Sequence, residues 1–269
     1  MTRSIQALIL LACTLPLASR AVLLYDASLG TFPGTQGWIG VIDTSTIQTH
    51  NGSATRLDST ADRADQSGFF SEDPAFGLFQ HPALPVMDRS AGYTIRFNLQ
   101  VLSEGHDIRD DNGDLLNDRA GFSMIAISED LLGLELAFFE DRVWAYAAAG
   151  EGPNSLFTQA EGAAFDTTAG MVQFDFSVLN NGYSLNANGV PVLAGNLRNY
   201  NPSGLSSFVD PYNNPSFLFF GDDTTSADAD VLLGDIEINP PPDLAVPEAR
   251  TAIPLLILGL SGLLRRKRA

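Results

Sequence analysis

Carboxylates dominate the chemistry this sequence could do. All 32 acidic residues of the 269-residue chain, 23 Asp and nine Glu, lie within residues 26–248. Only eight of the 15 basic residues lie there, all of them arginine, which leaves that stretch at −24. Retaining glycoside hydrolysis needs two carboxyl groups ~5–5.5 Å apart. The nearest approach to such a pair is Glu135 with Glu140 and Asp141. On a strand, Glu135 and Glu140 face opposite sides. Asp141 shares the side of Glu135 but lies about 20 Å along it. No single strand therefore carries a hydrolytic pair. There is no Gly-x-Ser-x-Gly for a serine nucleophile. His50, His81 and His106 lie far apart in polar, turn-rich sequence, read as surface loops, and do not cluster as zinc requires.

Hard cations suit an Asp-rich chain better. Asp110, Asn112 and Asp114 set oxygen donors at alternate positions around Gly113. The EF-hand register fails, because it puts Ile108 at the first ligand position and Arg119 at the twelfth. Asp222 and Asp223, followed by Asp228 and Asp230, make a second acidic loop. A structural calcium ion at either loop is the one cofactor this composition points to. The alternative is a pair of solvated acidic loops. So acidic a body repels nucleic acid and anionic membranes, and neither is expected as its partner.

The elements that would position these groups are strands. Tyr93, Ile95, Phe97, Leu99 and Val101 alternate with polar residues, as a half-buried strand does. Val172, Phe174, Phe176 and Val178 do the same, and Asn181-Gly182 then reads as a two-residue type I′ turn. That turn pairs Val178 with Leu185 and Phe176 with Ala187. Asn188-Gly189 reads as a second such turn, pairing Leu185 with Val192, and Pro191 marks its strand as an edge. A further hairpin around Glu140-Asp141 pairs Phe138 with Val143 and Leu136 with Ala145 on a core face. Its other face then carries Glu135, Arg142, Trp144 and Tyr146, an aromatic and charged set suited to a saccharide. The alternative is that this face lies under a loop or a neighbouring strand. Tyr200 and Tyr212, in the long loop of residues 199–215, are further candidate sugar contacts, against a plain connector.

Both ends read as addresses. Arg3, an apolar run and then Ser19 and Ala21 form a secretory signal peptide over residues 1–21, with cleavage after Ala21 or Ser19. Its removal takes with it Cys13, the only cysteine. Residues 240–248 are a Pro-rich linker ending in Val246-Pro247-Glu248. Residues 249–269 hold an uncharged stretch of 14 residues and a basic end, Arg265-Arg266-Lys267-Arg268. As a helix that stretch spans about 21 Å, short of the ~30 Å hydrocarbon core, and the cations hold its end in the cytoplasm with the body outside. This order resembles the PEP-CTERM sorting signal of Gram-negative bacteria, with Ala249 where the motif has its second proline. The resemblance implies an exosortase-type sorting protease as partner, membrane contact through this helix alone, and delivery to the cell surface or extracellular matrix. A plain C-terminal tail anchor is the alternative.

Short strands with turns every 8–12 residues make residues 22–239 one all-β domain, an antiparallel sandwich or jelly roll. Leu24-Tyr25-Asp26, Ala120-Gly121-Phe122-Ser123, Leu134-Glu135-Leu136, the stretch 184–189 and the closing stretch 232–238 give it a resemblance to the concanavalin A-like lectin/glucanase superfamily, laminin-G-like domains included. That resemblance implies a jelly roll of twelve to fourteen strands and no particular activity. The Glu-x-Asp-x-x-Glu and Glu-x-Asp-x-Glu strands of its glucanase branch are missing here. The expected function is non-catalytic: binding of polysaccharide, or structure, in the extracellular matrix. A glycan-processing hydrolase with an unrecognised site is the rival, and a spacer without a ligand is a third reading.

Overall fold

In a computed structural model, which describes residues 21–73, 79–151, 156–200 and 210–239, the alternating segments form strands. The strands are β1 (Val22–Tyr25), β2 (Ile39–Val41), β3 (Ile47–His50), β4 (Thr55–Asp58), β5 (Ser67–Phe70), β6 (Tyr93–His106), β7 (Ser123–Ile127) and β8 (Gly133–Phe138). They continue with β9 (Arg142–Tyr146), β10 (Gln159–Ala164), β11 (Val172–Leu179), β12 (Gly182–Ala187), β13 (Val190–Asn196), β14 (Phe217–Asp222) and β15 (Ala227–Asn239). The expected signal peptide (except Ala21), the linker with Val246, Pro247 and Glu248, and the apolar tail lie outside the described residues. Among the described residues no helix is long and apolar enough to cross a membrane.

Two antiparallel sheets result. One has the order β13-β12-β11-β6-β15-β4-β3, with β1 also paired to β15, and the other has the order β10-β9-β8-β7-β14-β5-β2. The described residues form fifteen strands, more than the twelve to fourteen that the superfamily resemblance implied. Between the sheets lies an aromatic core. Phe97 stacks on Phe174 at 5.4 Å and meets Phe138 and Phe220 edge-on, at 5.9 and 5.2 Å.

The two sheets treat their outer faces differently. Over Tyr93–Val101 of β6 and Val172–Val178 of β11, buried residues alternate with half-buried ones, and the outward side chains there are charged or polar. Arg96 on β6 bridges Asp175 on β11 and Glu237 on β15, so neighbouring strands are also tied on the wet side. In β7, β8 and β14 every residue is buried. These strands read Ser-Met-Ile-Ala-Ile, Gly-Leu-Glu-Leu-Ala-Phe and Phe-Leu-Phe-Phe-Gly-Asp, apolar at successive positions. A strand of that kind needs cover on both sides. The second cover is a smaller core of Ile125, Ile127, Trp144, Tyr146, Phe217 and Phe219 beneath Phe157, Tyr200 and Tyr212.

Register follows the sequence pattern, with two local changes. Leu136 pairs with Ala145 and Phe138 with Val143, as the core-face parity requires. In the β11–β12 hairpin the turn is Asn180-Asn181, one residue earlier than Asn181-Gly182. Phe176 therefore meets Leu185, Phe174 meets Ala187 and Val178 meets Tyr183. Two contacts fix that choice. Asn180 donates its N–H to the Arg89 carbonyl at 2.6 Å, and the Arg89 guanidinium donates to the Asn180 carbonyl at 3.0 Å. Asn180 takes the left-handed conformation (φ 55°) that asparagine tolerates. The shift moves each pairing by two residues, so both faces keep their character. Asn188-Gly189 turns with φ 50° and 78°, as a type I′ turn needs. A bulge then sets Leu185 opposite Leu193 instead of Val192. Strand β13, with Pro191, ends its sheet as an edge.

The histidines depart from the surface-loop expectation. His81 is buried, its Nε2 set between the carbonyls of Leu24 (3.0 Å) and Gln36 (2.9 Å), where it anchors the first strand. His50 ends β3 and His106 ends β6.

Gly121 precedes β7 where the chain of β15 crosses it. A Cβ there would stand 2.0 Å from the Asp228 carbonyl carbon. Gly121→Ala is expected to cost at least ~1–3 kcal/mol, as overpacking does, and to lower the denaturation midpoint in urea. Gly34→Ala, where a Cβ would meet nothing within 4 Å, should stay within about 0.5 kcal/mol of the parent.

Candidate functional site

Strand β8 sends Leu134, Leu136 and Phe138 into the main core. By alternation Glu135 points to the other face, and it is 3% exposed. A lone carboxylate in such a place is prohibitively expensive, so it must be paired or protonated. Both occur. The Tyr212 hydroxyl donates to Glu135 Oε2. The Asp223 carboxyl, just beyond β14, lines the same cavity beside Glu135 and interacts with it. Burial and then the Asp223 charge push Glu135 well above the usual carboxylate range, and burial raises Asp223 too. Two carboxyl groups in contact share one proton and titrate as a unit.

Tyrosines hold this pair in place. Tyr212 arrives on the one-turn helix Pro211–Asn213, whose first turn is capped by Asp210 accepting the Tyr212 N–H at 3.1 Å. The Tyr200 hydroxyl donates to the Tyr146 carbonyl at 2.7 Å and accepts the Glu135 N–H at 3.3 Å, locking β8 to β9. The Tyr146 hydroxyl accepts the Ala120 N–H at 3.2 Å. Phe157 stacks on Tyr200 at 5.9 Å and leans on Tyr212 at 5.5 Å. Its φ of 61° is unusual for a bulky residue. Bonds on both sides hold it there: its N–H to the Ala147 carbonyl at 3.0 Å, and its carbonyl to the Arg119 guanidinium.

These groups enclose a cavity of about 600 Å³ on the outer face of the seven-stranded sheet. Glu135 and Asp223 share it with the rings of Phe70, Tyr146, Phe157, Tyr212 and Phe219, and Gln66, Asp222 and Thr224 also line it. Asp222 accepts the Ser59 hydroxyl at 2.6 Å and the Thr224 N–H at 3.2 Å, and burial pushes it up to about 9. Arg119 lines the cavity with its charge already engaged. It donates to Asp111 Oδ2 (3.0 Å), to the Asp118 carbonyl (2.7 Å) and to Phe157.

Of the expected ligand face, Glu135, Tyr146 and Tyr212 line the cavity, and Tyr200 stands behind them, 1% exposed. Trp144 and Arg142 do not line it. Trp144 is fully buried, edge-on to Phe139 at 4.4 Å and to Tyr146 at 5.8 Å, so its ring is core and is not offered to a sugar. Arg142 lies against Gly162 of the edge strand β10 and donates to Gln159 at 2.7 Å. The covered-face alternative holds for both residues. What the sequence did not reveal is the meeting of Glu135 with Asp223, which belong to segments far apart in the chain. The one signal was the unbroken apolar run of β14, which marks a strand with two buried faces.

The acidic loops are balanced from within. Asp110 accepts the N–H groups of Gly113 (2.6 Å), Asp114 (3.0 Å) and Leu115 (3.0 Å), while Asn112 donates to Asp114 at 3.1 Å. Arg109 and Arg119 bridge to Asp111, Arg63 to Asp107 and Asp228, and Arg56 to Asp58 and Asp230. Among the described residues no group of three or more His, Cys, Asp or Glu side chains is arranged to hold a metal ion. Asp110, Asn112 and Asp114 thus serve their own loop, and Asp222 and Asp223 belong to the cavity.

No protein-family model matches the sequence, and no curated protein matches it. Solved structures do resemble the fold. A carbohydrate esterase of the Shiga toxin-encoding bacteriophage phi24B is 15% identical, with a TM-score of 0.50 over 81% of this chain and 98% of that one. An endo-1,3-beta-glucanase from Streptomyces sioyaensis is 11% identical, with a TM-score of 0.46 over 82% and 95%. A galectin-like protein of unknown function from Bacillus subtilis is 9% identical, with a TM-score of 0.46 over 81% and 96%. What is shared is the sandwich. At these identities nothing about the site is transferred.

Two outcomes follow from the burial. Trp144→Ala should destabilise the protein by ~3–5 kcal/mol, as truncation of a buried aromatic does, measured by urea unfolding. Asp222 favours its neutral form when folded, so its stabilising contribution is complete below its ordinary value near ~4 and is lost as pH rises to about 9. Asp222→Asn keeps the group neutral, and its melting temperature should gain on the parent's as pH is raised through that window.

Proposed function

We propose that this protein is a secreted, surface-sorted carbohydrate-binding protein, with a concanavalin A-like sandwich as its body and the cavity over Glu135 as its binding site. The observation that carries this reading is the pair Glu135–Asp223 set among aromatic rings. A sugar presents apolar C–H faces and a rim of hydroxyls. Rings such as Phe157 and Tyr212 match the first. A carboxyl pair that shares one proton offers both a donor and acceptors to the second. The volume, about 600 Å³, lies in the range of small-molecule pockets, ~300–1,000 Å³. The sorting half of the proposal rests on the sequence: the N-terminal signal, the Val246-Pro247-Glu248 motif, the short apolar stretch and the basic end.

A hydrolase is the second reading, because two carboxyl groups meet in one pocket. Their separation argues against the glycosidase form of it. Carboxyl groups coupled closely enough to share a proton sit nearer than the ~5–5.5 Å of a retaining enzyme or the ~6.5–9.5 Å of an inverting one. Binding therefore accounts for the geometry better than cleavage does.

A polysaccharide and oligosaccharide panel applied to the purified full chain in detergent tests the reading. Retention of at least one glycan is expected. Glu135→Gln and Tyr212→Phe, each removing a hydrogen bond at a charged or buried partner, should weaken it by roughly 10- to 100-fold. No glycan retained, or both folded variants binding as the parent does, would sink the proposal.

A further inference from the structure

The pocket is asymmetric in charge. Three carboxyl groups line it, Glu135, Asp222 and Asp223, and one cation, Arg119. That guanidinium already serves Asp111 and two carbonyls, and nothing cationic bonds the Glu135–Asp223 pair. Its phenolic neighbours, Tyr146 and Tyr212, are held neutral by burial and supply no counter-charge. Asp222 satisfies itself through Ser59 and Thr224. The carboxyl groups of the pocket are thus held by protons and hydroxyl or N–H donors, and the Glu135–Asp223 pair is the place where two of them meet. Elsewhere in this stretch arginine does that work, with seven of the eight in ion pairs.

The walls select the kind of cation. Tyr146, Phe157 and Tyr212 stand within 6.3 Å of one another along the chain of ring contacts, and ring faces attract ammonium groups. A hard metal ion needs six to eight oxygens at ~2.3–2.6 Å, and aromatic walls around a cavity of about 600 Å³ do not supply them.

We propose that the pocket takes an amino sugar with a free ammonium group, seated with its nitrogen on the Glu135–Asp223 pair and its ring against Phe157 and Tyr212. This rests on the carbohydrate-binding reading and narrows it to a cationic ligand. When the ammonium arrives, the proton shared by the two carboxyl groups is released to solvent, and both carboxylates accept from the nitrogen. The groups facing the pair are those already named, Asp222, Arg119, Tyr146 and Tyr212, and none of them supplies a replacement proton acceptor.

Calorimetric titration of the full chain in detergent with three probes tests the proposal: the β-1,4-linked glucosamine disaccharide, its N-acetylated counterpart and cellobiose. The amine should bind at least about tenfold more tightly than the other two, and its affinity should rise, by up to about tenfold per pH unit, as pH is raised above the ordinary carboxylate range near ~4, while theirs stays level. Glu135→Gln should abolish the preference. General attraction to a body of −24 would survive that one substitution, so an amine preference unchanged in the variant overturns the proposal. If Glu135→Gln fails to fold, the pH dependence of the parent decides in its place. Cellobiose or the acetylated sugar binding as tightly as the amine would refute the cationic ligand and leave carbohydrate binding intact. Failure of all three probes, together with failure of the glycan panel, would remove both.

Discussion

One acid on an apolar strand governs the architecture around it. Glu135 lies between Leu134 and Leu136 on a strand that buries both faces, and such a position cannot hold a free charge. It is tolerated because Tyr212 and Asp223 reach it from separate elements. Asp223 comes from the end of β14 in the same sheet, and Tyr212 from the segment that the second core brings over it. The small core, the cavity and the shared proton are therefore one arrangement. Loosening the cap would expose the rings and leave the carboxyl groups to separate and ionise.

The charge economy of the body is equally constrained. With no lysine in residues 26–248, the ion pairs among the described residues are made by arginine, apart from that of His106 with Glu104. The planar guanidinium suits this, because one fork can serve two strands. Arg56 on β4 grips Asp230 on β15 through Nε and Nη2, both at 2.7 Å, and reaches Asp58 as well. Arg198, nearly buried, joins Glu151 and Glu161. Most of these pairs are partly exposed, and each is worth little by itself. Their value lies in placing counter-charges at the seams between strands.

Much of the sandwich was legible from period-two alternation, because a strand with one wet face advertises it in every second residue. Tyr93 to Val101 and Val172 to Val178 are of this kind, and the edge position of β13 followed from Pro191. The outer face of the other sheet was harder to see. Its strands carry apolar residues at successive positions, which says that both faces are covered but not by what. That is why Trp144, sound in parity, proved to be core. Glu135, Asp222 and Asp223 each stood out as acids, but their proximity is a property of tertiary packing between β8 and β14. The hairpin turn at Asn180-Asn181 escaped for a similar reason. Arg89, far away in sequence, chooses between two turn sites that local rules leave nearly equal.

The pairing of β1 with β15 has a mechanical consequence. Val22 lies opposite Ile238, so the body's first and last strands run side by side and meet at one end. A force applied across those two ends would peel the four residues of β1 from β15, one paired position after another. The aromatic core and the cavity would stay outside the path of the force. In that sense the sandwich hangs from its ends as a pendant and is not a link in a chain.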